Sequence, residues 1–157
     1  MESSKVIEHI IRLEGGYINH PKDPGGETKY GISKRTYPDL DIKELTKEDA
    51  ELIYFRDFWS PMGIEYLPGK IQFLVMDCGV NQGPVTAIII LQKILGVKAD
   101  GIVGTNTIVE AGMYDEIELV KRYAIHRYLR YTKTENFDTF GGGWTRRLIE
   151  AVVLSMA

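Results

Sequence analysis

The chain has 157 residues, 44% of them hydrophobic and 26% charged, with a formal net charge of −3 at pH 7. That size and mix suit one compact domain with its own apolar core and exclude a disordered or fibrous chain. The slight acidity argues against nucleic acid as a partner, no apolar run is long enough for stable membrane insertion, and the single cysteine, Cys78, rules out an internal disulfide.

The first element is a helix whose apolar face carries Val6, Ile7, Ile10 and Ile11, with Ser3 or Ser4 as candidate cap. Ile7, Ile11 and Glu14 fall in line at i, i+4 and i+7, so Glu14 stands at the edge of the buried stripe, and Gly15 ends the helix. Residues 17–45 form the one sizeable non-helical region. Its glycines and the run Thr28-Lys-Tyr-Gly-Ile32 predict a short β-hairpin or extended loop. Thr46 to Asp49 reads as a capping box for a second helix through Ala50, Ile53, Tyr54 and Phe58. Ile71, Leu74, Val75 and Cys78 mark a third, strongly buried helix that breaks at Asn81-Gln-Gly-Pro84. Cys78 is read as a small buried apolar residue.

Pro84 suits the first turn of a fourth helix, which Gly96 ends. A turn-rich piece, residues 99–104, leads to a short helix over about 105–112. Asp115 opens a long helix with Ile117, Val120, Ala124, Tyr128 and Tyr131 on one side. Lys121, Arg122, Arg127, Arg130 and Lys133 on this segment read as a solvated face, with a basic wall for an anionic polymer as the sharper alternative. Gly141-Gly-Gly143 is expected to be a flexible break before a last amphipathic helix carrying Trp144, Leu148, Ile149 and Val152. The fold class is thus mainly α (α+β), with a small β element inserted after the first helix. No linker is rich enough to divide residues 1–157 into independent domains.

The chemistry concentrates in residues 14–32. A glutamate at the end of a half-buried helix is partly desolvated, which disfavours its charged form and suits a proton donor to a leaving glycosidic oxygen. Asp23 lies nine positions on, in a polar loop where it stays ionised and can orient or deprotonate a water, with the Thr28 hydroxyl sharing that water. A purely structural reading also exists. Glu14-Gly-Gly16 can be only a helix end, and Asp23-Pro-Gly-Gly26 only a turn.

Glu14-Gly-Gly-Tyr17, Asp23-Pro-Gly-Gly26, Thr28 and Tyr30-Gly-Ile32 resemble the signature of the N-acetylmuramidases of glycoside hydrolase family 108, found as phage endolysins and secretion-associated muramidases. The likeness continues through Asp77-Cys-Gly-Val-Asn81-Gln-Gly-Pro84, Leu91-Gln92, Leu95-Gly96, Asp100-Gly101 and Gly143-Trp-Thr-Arg-Arg147. The resemblance implies a lysozyme-like helical domain that hydrolyses the β-1,4 bond between N-acetylmuramic acid and N-acetylglucosamine in peptidoglycan glycan strands. Its catalytic glutamate maps onto Glu14. The related phage-type lysozymes carry Glu-x8-Asp-x5-Thr. Here four residues, not five, separate Asp23 from Thr28, and Glu27 is the alternative base. Within the single domain, residues 1–89 would form the catalytic segment. Residues 90–157 would be a helical segment packed onto it, since Leu91 to Thr107 looks like the repeat of small peptidoglycan-binding modules.

Tyr30 is a candidate for stacking on a sugar face, and Asn81 and Gln82 for hydrogen-bonding acetamido groups. Asn81 could equally be a helix cap. Asp77 reads as a structural hydrogen-bonding residue, and Trp59 and Trp144 as core. The scattered histidines His9, His20 and His126 give no metal-ligand spacing, and no phosphate-binding glycine loop follows a strand, so neither metal nor cofactor is expected. The N-terminus lacks the pattern of a signal peptide. The expectation is synthesis in the cytoplasm and action on the cell wall or periplasm after release, with a holin or secretion machinery as export partner. A lytic transglycosylase on the same fold, and a non-enzymatic wall-binding or secretion-assisting module, are the two rival readings.

Overall fold

The computed structural model describes residues 2–21 and 26–157. The described residues fall into two compact units, Glu2–Asp57 and Phe58–Ala157.

The first unit opens with helix α1 (Ser3–Glu14), which buries Val6, Ile7, Ile10 and Ile11. Neither serine caps it. Glu2 occupies the N-cap without a side-chain hydrogen bond, and Gly15, at φ +82°, closes the C-terminus by donating its N–H to the Ile11 carbonyl. The predicted hairpin is present. Strands β1 (Thr28–Lys29) and β2 (Ile32–Ser33) pair antiparallel with Thr28 opposite Ser33 and Lys29 opposite Ile32. The two loop residues, Tyr30 at φ +54° and Gly31 at φ +78°, are both left-handed, as a type I′ turn requires to match the right-handed twist of the strands. Ile18 extends the ladder through a reciprocal pair of backbone hydrogen bonds with Thr28, at 2.7 and 2.8 Å. Helix α2 (Lys47–Tyr54) starts on the expected capping box. The Asp49 amide donates to the Thr46 hydroxyl oxygen, and the Asp49 carboxylate accepts from the Thr46 amide. A π-helical turn, Phe55–Trp59, follows it in the chain.

The second unit is built around α3 (Gly69–Gln82). Every residue from Ile71 to Gly79 is buried, so this helix is enclosed on all sides instead of presenting one apolar stripe. It packs against α4 (Pro84–Leu95), α6 (Glu116–Tyr131) and α7 (Phe137–Met156), while α5 (Thr105–Met113) rests on α4. Pro84 sits in the first turn of α4, where its missing N–H costs no hydrogen bond, and Gly96 closes that helix in the left-handed region.

Two expectations fail in this unit, each because packing overrides local pattern. Gly141-Gly-Gly143 is not a break: α7 runs through it. Gly141 is buried, and a side chain there would meet the Phe137 ring at 2.6 Å. The buried stripe of α6 is Leu119, Val120, Tyr123, Arg127 and Tyr131, whereas Ile117 and Tyr128 are exposed. Arg127 does not belong to a solvated face, although Lys121, Arg122, Arg130 and Lys133 do.

Arg127 and Asp77 are both 0% exposed and form a 2.9 Å ion pair between α6 and α3. The second Asp77 oxygen takes Nε and Nη2 of Arg147 on α7, at 2.9 and 2.8 Å. Arg127 also donates to the Tyr131 hydroxyl. Asp77 is thus a structural residue, as its sequence context suggested, and its partner in the Gly143–Arg147 motif is Arg147. Cys78 is buried beside it, and burial pushes its thiol above the usual range, so it stays protonated and unreactive.

Candidate active site

Glu14 is the last residue of α1 and is half-buried, at the edge of the apolar stripe where the i+4, i+7 alignment put it. Its side chain lies against the hairpin turn. A methyl group added at Gly31 would sit 2.8 Å from Glu14 Cγ and 2.9 Å from its Oε2. The same methyl would meet the Tyr54 hydroxyl oxygen at 2.5 Å. Only a glycine, left-handed and without Cβ, lets the turn, the carboxylate and the phenol come this close.

The turn is fixed from both sides. The Tyr30 amide donates to the Gly15 carbonyl at 3.0 Å, tying the hairpin to the residue that follows Glu14. The hydroxyl of buried Tyr54, on α2, donates to the Tyr30 carbonyl at 2.7 Å. Glu14 is therefore held by backbone on rigid elements, which is the support a catalytic carboxyl needs.

The remaining candidates fall in different places. Tyr30 is in direct reach of this arrangement: it is half-buried at the turn, with the Lys29 ammonium 5.6 Å from its ring centroid. Thr28 is half-buried in β1, two positions before the turn. Asp23 lies outside the described residues. Glu27 accepts the Tyr17 hydroxyl at 2.7 Å, a bond that also raises the Tyr17 phenol above its ordinary range. In the second unit, Asn81 is exposed inside the last turn of α3; the cap is Gly83, so the capping alternative for Asn81 does not hold. The side-chain amide atoms of Gln82 are buried and make no hydrogen bond.

Sequence reasoning missed two contributors. Tyr54 was read only as an apolar helix residue, although a tyrosine in a core needs somewhere to place its hydroxyl, and that need was the available signal. Gly31 was read as part of a turn, with no hint that Glu14 approaches it.

Gln92 and Asp100, inside the wall-binding-like stretch, prove to be mutual partners. The buried Gln92 amide donates to the Asp100 carboxylate and the Ile102 carbonyl, both at 2.9 Å, and to the Thr107 hydroxyl at 3.2 Å. Its oxygen accepts the Gly101 amide at 2.8 Å. One side chain thereby replaces the missing backbone ladder of the turn between α4 and α5. Among the described residues there is no His, Cys, Asp or Glu group that could hold a metal ion, and no helix is long and apolar enough to cross a membrane.

The family model for Glycosyl hydrolase 108 matches residues 7–83, which contain Glu14, the hairpin and α3. A model described as Predicted Peptidoglycan domain matches residues 86–149. None of the curated proteins matches the chain. Among solved structures, SagA of Brucella abortus superposes with a TM-score of 0.88 at 30% identity, over 98% of this chain and 93% of that one. With matching fold, both segments and nearly full mutual coverage, the chain belongs to glycosyl hydrolase family 108 and is a glycoside hydrolase directed at peptidoglycan.

Proposed function

We propose that the protein is an N-acetylmuramidase. It hydrolyses the β-1,4 linkage between N-acetylmuramic acid and N-acetylglucosamine, with Glu14 donating the proton to the leaving oxygen. The observation that carries this reading is the placement of Glu14: half-buried, at a helix end, and pressed against the Tyr30-Gly31 turn that Tyr54 holds. A general acid must present its carboxyl to the leaving oxygen, and a half-buried side chain at a helix end keeps one face open for that contact.

Asp23 is the water-orienting base in this proposal and Thr28 its assistant, so that two carboxylates share the reaction. Tyr30 stacks on a sugar ring, and Asn81 and Gln82 contact acetamido groups. The catalytic and wall-binding-like segments act as one domain. Delivery from the cytoplasm to the wall, by a holin or by secretion machinery, belongs to the same proposal, as does a role in lysis or wall remodelling.

Mass spectrometry of muropeptides released from purified peptidoglycan tests the bond and the reaction. Reducing N-acetylmuramic acid ends are expected. Anhydro-muramyl ends would assign the protein to the lytic transglycosylases, and wall binding without any release would leave only a binding module.

A further inference from the structure

The α6–α7 pair in the second unit carries a second apolar surface, away from its buried stripe. On α6, Ile117, Ala124, Ile125 and Tyr128 follow one another at helical spacing, and α7 presents Ile149 and Val153 beside them. The two rows meet in a groove of about 320 Å³ lined almost wholly by aliphatic and aromatic side chains. Ile125, Ile149 and Val153 are 57%, 58% and 62% exposed. Single exposed apolar residues are ordinary, but a contiguous groove of them marks a contact surface.

The charges choose the occupant. Lys121 stands within the α6 row, one turn from both Ile117 and Ile125, and is exposed. Arg146 lines an adjoining hollow that shares Thr145 and Ile149 with the groove and also includes Glu150. A second copy docking through a two-fold axis would set this patch on itself and enclose Lys121 in an apolar setting. That arrangement takes its ammonium out of water. A lipid surface has no such conflict. Aliphatic side chains enter the boundary between headgroup and acyl chain, Tyr128 spans it, and the Lys121 stem lies along the apolar row with its ammonium at the anionic headgroups. Because no described helix can cross a bilayer, the contact would be peripheral.

We propose that the α6–α7 face docks on an anionic phospholipid surface. The full-length protein is tested by co-sedimentation with vesicles of phosphatidylethanolamine and phosphatidylglycerol at 3:1, and with pure phosphatidylcholine vesicles, at low and high salt. Binding is expected on the anionic vesicles and weaker on the zwitterionic ones, falling with salt. Lys121→Ala should weaken it roughly fivefold. The double variant Ile149→Glu/Val153→Glu, at two exposed sites, should weaken it about tenfold or more. Sedimentation velocity of the same proteins without lipid supplies the rival outcome. Three results overturn the proposal: no binding to the anionic vesicles; binding that both variants retain in full; or a wild-type dimer that the double variant converts to monomer, which gives the groove to a second copy of the chain.

Discussion

Glu14 and Asp77 are both carboxylates in the C-terminal half of a helix, and the two units treat them in opposite ways. Asp77 has no contact with solvent and spends both oxygens on Arg127 and Arg147, so that three helices of the second unit share one buried ionic knot. Glu14 is only half-buried, against a glycine turn and a tyrosine hydroxyl that is itself engaged with the Tyr30 carbonyl. A carboxylate fixed between two guanidiniums is immobile, which suits architecture. A carboxyl beside a glycine turn, with part of its surface open, can be reached from solvent.

Breaking the knot should produce the largest stability effect. Asp77→Ala leaves Arg127 buried without a counter-charge, and a loss of about 3–5 kcal/mol is expected in urea unfolding. Replacing Arg127 and Asp77 together by apolar residues of similar size should recover a good part of that loss, because no lone charge then remains in the core. A double variant as unstable as Asp77→Ala would mean that the pair contributes more than mutual neutralisation.

Next comes the turn that holds Glu14. Gly31→Ala places a Cβ at positive φ and into the Tyr54 hydroxyl and the Glu14 side chain. A cost of about 1–3 kcal/mol is expected, and a loss of wall clearance larger than that destabilisation explains. Tyr54→Phe should cost about 1 kcal/mol through the bond to the Tyr30 carbonyl, with a partial loss of clearance. Turbidity assays beside thermal unfolding separate the two effects. Clearance that follows stability alone would remove the turn from the catalytic arrangement.

The smallest effect is a titration. Burial, together with the hydrogen bond to Asp57, pushes the Tyr37 phenol up to about 12. Its protonated form is favoured in the folded state. The resulting stability is therefore complete below pH 10, the ordinary tyrosine range, and is lost as pH rises through about 12. Tyr37→Phe should flatten the fall in unfolding midpoint between pH 10 and 12. An unchanged slope would place the alkaline sensitivity elsewhere.

What the sequence disclosed follows from how local each feature is. The Thr46–Asp49 box, the stop at Gly15 and the hairpin at Tyr30-Gly31 are satisfied by neighbours in the chain, so spacing was enough to find them. Glu14's position at the stripe edge followed from the helical period alone. Arg127 misled because a basic run reads as solvent-facing, while its counter-charge lies fifty residues upstream. Gly141–Gly143 misled because three glycines lower helix propensity, yet α7 gains its stability from packing on α3 and α6. Ile117, Val120, Ala124, Tyr128 and Tyr131 were placed on one side of α6, but periodicity does not say which part of an apolar side another helix covers, and Ile117 and Tyr128 are left exposed.

The central claim is that Glu14 supplies the catalytic proton. Release of reducing ends from purified peptidoglycan by Glu14→Gln, measured beside its unfolding midpoint, tests it most directly. The account predicts a rate at least about a hundredfold below wild type, with the midpoint nearly unchanged. Wild-type release from a folded Glu14→Gln protein would contradict it.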